Sequence, residues 1–305
     1  DNITDESDST VVAPKFKRGL WPGGSVCYDD KNHLYFFQKK SGERIPLVSM
    51  TTFGGLFKRP FDDRAEALRC AQKNWYESDY LDNSNWSSVP IEKRYRMILD
   101  AWEKKRSIAS SYGTSVHAAM EYIAKFPRMK DAEIYKKLLF EMNGVNPIVL
   151  KFMPQVRELI QQYKDMGYVP LPEALLANPS YGIAGQADLP MVNVEKNKIV
   201  MFDYKTNEKR PDENKRSFGN MLWPFHGFPD IDFFRYAFQL GGYSAFMMEA
   251  FRGFTVEQIT IIWLNRKTCK IELIDISPNW ATMMFKTFQH FKVNDVFKNA
   301  YSIKN

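Results

Sequence analysis

Two aspartates and a lysine punctuate YGIAGQADLPMVNVEKNKIVMFDYKT, the segment from Tyr181 to Thr206. Asp188, Asp203 and Lys205 fall inside apolar, β-branched stretches, where a charged side chain is rare unless it is paired or binds something. The segment reads as two strands joined by a polar turn at Glu195-Lys196-Asn197-Lys198, which puts Asp188 and Asp203 on neighbouring strands. Strand positions two apart share a face, so Asp203 and Lys205 project together. Two carboxylates converging with one amine suit a hard divalent cation held against a phosphate, because such a cation takes carboxylate oxygens. The lysine then faces the scissile phosphate or the attacking water. The bland alternatives are a strand-end Asp188 that bonds a turn, and an Asp203–Lys205 ion pair on a solvated face, which contributes little stability. The apolar run Ile199-Val200-Met201-Phe202 fits a solvated face poorly.

Other residues stand where they could join this group. Glu173 lies fifteen residues before Asp188, beside a proline, on the strand before it. His117 and Glu121 are one helical turn apart in GTSVHAAME, as are Gln239 and Tyr243 in QLGGY, so each pair shares a helix face. Gly113-x-x-x-His117, Glu173, Asp188, Asp203-Tyr204-Lys205 and Gln239-x-x-x-Tyr243 together resemble the motif set of the PD-(D/E)XK nuclease superfamily. The RecB-type branch, which includes phage and mitochondrial exonucleases, is the nearest in pattern, and the likeness spans residues 113–243.

That resemblance implies an α/β fold with a PD-(D/E)XK (restriction-endonuclease-like) core, a central mixed sheet flanked by helices in α-β-β-β-α-β order, and an N-terminal, mostly helical extension. It implies Asp188, Asp203, Lys205, Glu173, Gln239 and Tyr243 as catalytic residues. His117, Glu173, Asp188, Asp203 and the carbonyl of Tyr204 would hold one or two Mg²⁺ or Mn²⁺ ions, with Glu121 behind His117. The implied reaction is hydrolysis of DNA by in-line attack of an activated water. An exonuclease acting on single strands or free ends in replication, recombination or repair is expected, with phage origin on the same footing. No base-reading motif is visible, so little sequence preference is expected. Two readings stay open beside it: a nucleic-acid-binding or structural module that keeps the fold without hydrolysis, and a nuclease subunit of a larger replication or recombination assembly.

The elements around these residues follow from composition and period. The chain has 305 residues, 44% of them apolar, with 23 Phe, 15 Tyr and 7 Trp, which is ample for a core. A net charge of +6 and a pI near 9.0 favour a polyanionic partner. Cys27, Cys70 and Cys269 lie far apart with no CxxC pair, which supports neither a structural zinc site nor a disulfide framework, and three cysteines cannot make the four-cysteine iron–sulfur cluster of some RecB-type relatives. No signal peptide and no bilayer-length apolar run is seen, so a reducing, cytoplasmic setting is expected, the host cytoplasm for a viral protein. The chain opens on Asp1, which reads as a trimmed product or a piece of something longer.

Residues 1–27 read as a flexible tail, 28–110 as a hairpin and helical extension, and 111–305 as the nuclease core. A hairpin is expected from His33–Phe37 and Arg44–Val48 about Ser41-Gly42. Asp62 or Asp63 should cap a helix running to Trp75. Pro90 should open a helix to Ser110, a second should start at Gly113, and two more should cover 131–142 and 154–166. The pattern then turns extended over Tyr168–Ala177. A long helix over Ile231–Phe251, a strand pair at Ile259–Asn265 and Lys270–Ile276, and a closing helix from Pro278 complete the chain. The loop from Asn207 to Pro229 carries Lys209, Arg210, Lys215 and Arg216 among Trp223, Phe225, His226 and Phe228, with Arg235 just beyond. It reads either as a nucleic-acid-holding loop, with phosphates on the cations and bases on the rings, or as plain surface.

Overall fold

The computed structural model describes residues 16–290 apart from 22, 30, 143 and 218. Strands β1 (Phe16–Trp21), β2 (Gly24–Asp29), β3 (Leu34–Lys39) and β4 (Arg44–Ser49) form an antiparallel meander. The β3–β4 hairpin turns at Gly42, whose φ of +89° is a conformation glycine adopts without a Cβ penalty. The flexible tail expected over 1–27 is therefore corrected from Phe16 onward, and its remaining residues lie outside those described. Helix α1 (Met50–Gly55) follows at once, capped by the Ser49 hydroxyl, which accepts from the Thr52 N–H at 3.0 Å. Asp62 caps α2 (Asp63–Ala71) in the same way, accepting from Ala65. That helix stops short of Trp75.

Where two helices were expected, one helix of 35 residues, α3 (Ile91–Lys125), runs straight past Gly113. A single glycine costs a helix about 1 kcal/mol, too little to end one that buries Ile98, Tyr112, Val116, Met120 and Ile123. The domain boundary drawn between 110 and 111 thus falls inside an element. Next come α4 (Asp131–Glu141) and α5 (Val149–Asp165), the latter with Pro154 inside it rather than at its start.

Strands β5 (Val169–Pro170), β6 (Ala174–Asn178), β7 (Ile183–Ala187), β8 (Leu189–Asn193) and β9 (Lys198–Lys205) lead to α6 (Asp232–Ala250). Strands β10 (Thr255–Asn265) and β11 (Lys270–Ile276) and helix α7 (Asn279–His290) close the described chain. Two sheets result, in the orders β1-β2-β3-β4-β7-β6 and β11-β10-β9-β8-β5. The first four strands are no separate extension, because β4 pairs in parallel with β7 through Val48–Ile183 and Ser49–Ala184. In the second sheet β9 and β10 are parallel, bridged by α6, and the other pairs are antiparallel. The molecule is thus mixed α/β with helices against both faces of the five-stranded sheet.

Strand β9 shows why. Its Val200, Phe202 and Tyr204 face a core shared with α3, α4 and α5. Ile199 and Met201 face the opposite core, built with α1, α6 and α7. Alternation along the strand therefore sends Asp203 and Lys205 to the α6 side. Each large apolar side chain buried in this way stabilises the fold by about 1.5–3 kcal/mol. Among the described residues no helix is long and apolar enough to cross a membrane.

Candidate metal and phosphate site

The β5–β6 and β7–β8 segments form one bent ribbon that passes from one sheet into the other. The corner falls at residues 171–173 on one limb and at Asp188 on the other. Ladder registers fix which residues meet there. Ala174 pairs with Ala187, so continuing one step puts Glu173 opposite Asp188, and the Glu173 N–H donates to the Asp188 carbonyl at 2.9 Å. Leu189 pairs with Phe202, so continuing one step puts Asp188 opposite Asp203. Three acids thus stand in a row across three limbs. Glu173 has φ +53°, a left-handed conformation uncommon outside glycine, where the limb turns between sheets.

Helix α3 brings His117 to the same corner. Ligand atoms of His117, Glu173 and Asp188 all lie within 4.8 Å of one another, and the three side chains are half-buried. The His117 Nδ1 is 3.4 Å from Asp188 Oδ2, and that same oxygen accepts from the Tyr204 N–H at 2.8 Å. Burial pushes the His117 pKa down, but the Asp188 charge and hydrogen bond outweigh it and hold the imidazole above its ordinary value. Burial likewise pushes Asp188 up, and His117, Lys205 and the Tyr204 N–H together bring it below the usual carboxylate range. Glu173 is braced by the Gln186 amide, which donates to its Oε2. Such a set, two carboxylates and an imidazole, could hold a metal ion.

Asp203 lies beside this group rather than in it. Its carboxylate is paired with the Lys205 ammonium, and both side chains are largely buried, at 3% and 16% exposure. The solvated ion pair considered from sequence is thus a pair, but not a solvated one. Burial and the neighbouring Asp188 push the Asp203 carboxyl up to about 6 against the pull of Lys205. Burial opposes the charge on Lys205 too, yet Asp203 and Asp188 keep it above its ordinary value. The ammonium faces two carboxylates while Asp203 faces another acid, which is why one partner gains and the other loses. Lys205 also lies 4.8 Å from the centre of the Tyr236 ring.

Gln239 and Tyr243 of α6 approach from the same side, with the Gln239 amide donating to the Tyr243 hydroxyl at 3.1 Å. Tyr243 is buried against Gly185 of β7 so closely that a Cβ there would meet its ring at 2.4 Å. The Tyr204 side chain points the other way, into the α3 core, with its ring edge-on to His117. Glu121 does not back His117; it is paired with Lys125, and the acid beside the imidazole is Asp188.

The loop rings split. Phe225 is buried against Phe57 and Phe238, and Phe228 packs on Trp280 at 4.7 Å, so both are core rather than stacking platforms. Trp223 is exposed at 63%. Arg235 is committed to Asp230 at 2.7 Å and Arg210 to Glu272 at 3.1 Å, while Lys209, Lys215 and Arg216 are exposed. Residues that the sequence reading passed over include Gln186, Tyr236 and Asn207. Tyr236 lies three before Gln239 on a shared helix face, a signal that was legible; nothing local marked Gln186.

No protein-family model matches the chain, and no curated protein does. Among solved structures the chain is similar to that of a putative exonuclease from Eubacterium rectale, with 12% identity and a TM-score of 0.35 over 60% of this chain. The match spans 65% of the length of that structure.

Proposed function

We propose that this protein is a Mg²⁺- or Mn²⁺-dependent nuclease of the PD-(D/E)XK kind that hydrolyses phosphodiester bonds in DNA. The observation that carries the reading is the gathering of His117, Glu173 and Asp188 within 4.8 Å, next to a buried Asp203–Lys205 pair on the adjoining strand. The donor chemistry fits a hard cation, since Asp188 is held ionised and Asp203 is an acid short of compensating charge. His117, Glu173 and Asp188 would hold the ion, with Asp203 beside them. Such an ion lowers the pKa of water and offsets charge on phosphate oxygens.

The chain's own groups do the rest. Asp203 and the Tyr236 ring fix the Lys205 ammonium, so it needs no reorganisation to meet charge developing on the phosphate or to orient the nucleophile. Gln186 holds the Glu173 carboxylate toward Asp188, and the Tyr204 N–H fixes the rotation of Asp188. Gln239, tethered by Tyr243, presents an amide at the α6 wall for substrate.

The test is digestion of end-labelled linear and of circular DNA, single- and double-stranded, with Mg²⁺ or Mn²⁺ and with chelator. The parent should cut only with the cation, and Asp188→Asn and Lys205→Ala should each fall by at least about 100-fold. Preference for linear over circular substrate would bear out the exonuclease expectation. A Lys205→Ala protein that cuts as fast as the parent would end this reading of the site.

A further inference from the structure

Immediately after Lys205 the chain leaves β9, and Thr206, Asn207 and Glu208 form one wall of a cavity of about 320 Å³. Tyr80, Lys105 and Ala109 of α3, and Arg266 of the β10–β11 turn complete it. None of these cations was among those expected to hold a nucleic acid. The Lys105 ammonium lies 2.8 Å from the Glu208 carboxylate. That contact first, and then the charges of Arg266 and Lys267, hold the Glu208 pKa below its ordinary value. Arg266 is steadied by stacking, its guanidinium 4.8 Å from the centre of the Tyr112 ring. Two cations from distant parts of the chain, Lys105 and Arg266, therefore line one cavity with Glu208, and that acid is carried by a loop.

The cavity is tied to the candidate site through Asn207. Asn207, between Lys205 and Glu208, accepts from the Trp263 indole at 2.9 Å and from the Tyr236 hydroxyl at 2.8 Å, and the Tyr236 ring is the one beside Lys205. Along α3, Lys105 is about 18 Å from His117 at 1.5 Å per residue. One strand of a duplex carries a phosphate every ~3.4 Å, so a backbone entering at Lys105 is within a handful of phosphates of the metal-ligating group.

We propose that this cavity is a phosphate-binding position for the nucleic-acid backbone that reaches Lys205, and that in the free protein the Glu208 carboxylate stands in for the phosphate. It deepens the nuclease reading above and rests on it. The opposing account makes Lys105–Glu208 an ordinary surface ion pair that pins the loop. The two accounts differ in sign. A pin that is cut leaves the loop looser and the backbone no better held, whereas a stand-in that is neutralised frees Lys105 and Arg266 for the ligand.

The measurement is fluorescence anisotropy of a labelled single-stranded oligonucleotide and of its duplex, in chelator so that nothing is cleaved, over a salt series. Glu208→Gln should bind about three- to tenfold tighter than the parent. Lys105→Ala and Arg266→Ala should each bind about tenfold weaker, with the slope of log affinity against log salt reduced by about one. Whichever form shows the Glu208→Gln gain is the form that uses the cavity. Glu208 and Lys105 are solvent-accessible, so melting temperatures near the parent's should confirm folded variants. Unchanged or weaker binding by Glu208→Gln overturns the proposal, as does undiminished binding by Lys105→Ala. A parent that cuts DNA while Glu208→Gln gains nothing loses only this inference. A parent that shows the Glu208 and Lys105 effects but never cuts loses only the nuclease reading, and one that binds neither form loses both.

Discussion

Lys205→Met removes one ammonium from a buried group of charges and leaves nearly its volume behind. The structure sets the size of the effect. Asp203 is 3% exposed, its ammonium partner is 16% exposed, and the next acid, Asp188, already raises the Asp203 pKa. Deleting one partner of a buried pair costs about 3–5 kcal/mol, because the other charge stays in place without compensation. At roughly 2–4 °C per kcal/mol for chains somewhat shorter than this one, the melting temperature should fall by about 10 °C. The pH dependence supplies the sharper test. A carboxyl whose pKa is raised in the fold takes up protons on folding, so its destabilising effect is present above its folded pKa and fades as pH falls toward the unfolded value. Asp203 is at about 6 with Lys205 in place and should move higher without it. The variant should therefore lag the parent most in mildly alkaline buffer and recover much of the gap in mild acid. Lys205 itself, raised above its ordinary value, contributes below the alkaline range and stays constant across this window. Mn²⁺ should narrow the same gap, since a cation that binds only the fold stabilises it by mass action and here would replace the missing charge. Scanning fluorimetry from mildly acid to mildly alkaline buffer, with and without Mn²⁺, reads all three effects. A variant that melts with the parent in alkaline, metal-free buffer, or lags it equally at every pH, would show that the pair is not a buried charge pair.

Calorimetric titration with Mn²⁺ should detect binding that His117→Ala and Asp188→Asn each weaken by about ten- to hundredfold. A ligating imidazole must be neutral, and His117 is held above its ordinary pKa, so affinity should fall by up to about tenfold per pH unit below that value. His117→Ala should lose this dependence, and a slope retained in that variant would assign the proton to another group. Gly185→Ala should cost about 1–3 kcal/mol, because its Cβ would meet the Tyr243 ring at 2.4 Å. Parent-like stability would mean that Tyr243 is free to move. Arg94 is 8% exposed and donates to the carbonyls of Val89, Ala71, Lys73 and Ser87 at 2.7–3.2 Å. Arg94→Ala should destabilise by at least about 3 kcal/mol and open residues 72–90 to limited proteolysis. An intact digestion pattern would show that the segment is held by other contacts.

Strand β9 with Asp203 and Lys205, helix α6 with Gln239 and the helical stretch around His117 were legible because each has a strong period or an abrupt change of period, whereas Asp188, expected on a strand, lies at the break between β7 and β8. The β3–β4 hairpin, the α2 cap at Asp62 and the β10–β11 pair were legible from turn and cap chemistry for the same reason. What sequence could not show is long-range. Gly113 looked like a break, and tertiary burial along α3 overrode its weak local preference. Phe225 and Phe228 read either as base-stacking rings or as plain surface because nothing local distinguishes a ring on a loop from a ring tucked under it. The pairing of β4 with β7, which binds the first hairpins to the site, joins residues far apart in the chain and leaves no mark on either strand. Glu121 was placed behind His117 by helical spacing, but spacing cannot tell which neighbour a charged tip will choose, and Lys125 is one turn away on the same helix.

The row Glu173–Asp188–Asp203 depends on two ladders at once. Glu173 faces Asp188 through the β6–β7 register, and Asp188 faces Asp203 through the β8–β9 register. These belong to different sheets, and a slip of one residue in either would turn a carboxylate to the other face. Each register is fixed by burial on its own side: Ile183 and Ala187 pack in one core, Leu189, Met191, Val200 and Phe202 in another. The polar row can be tolerated at the corner because the apolar alternation on both limbs leaves it no other place. His117 reaches the corner from α3, and alternation along β9 keeps Lys205 on the α6 side. The charges are thus brought together by packing that would be satisfied without them. Within the group Asp203 alone works against the fold, since burial and Asp188 raise its pKa, whereas Asp188, His117 and Lys205 are each held in their charged forms by their neighbours.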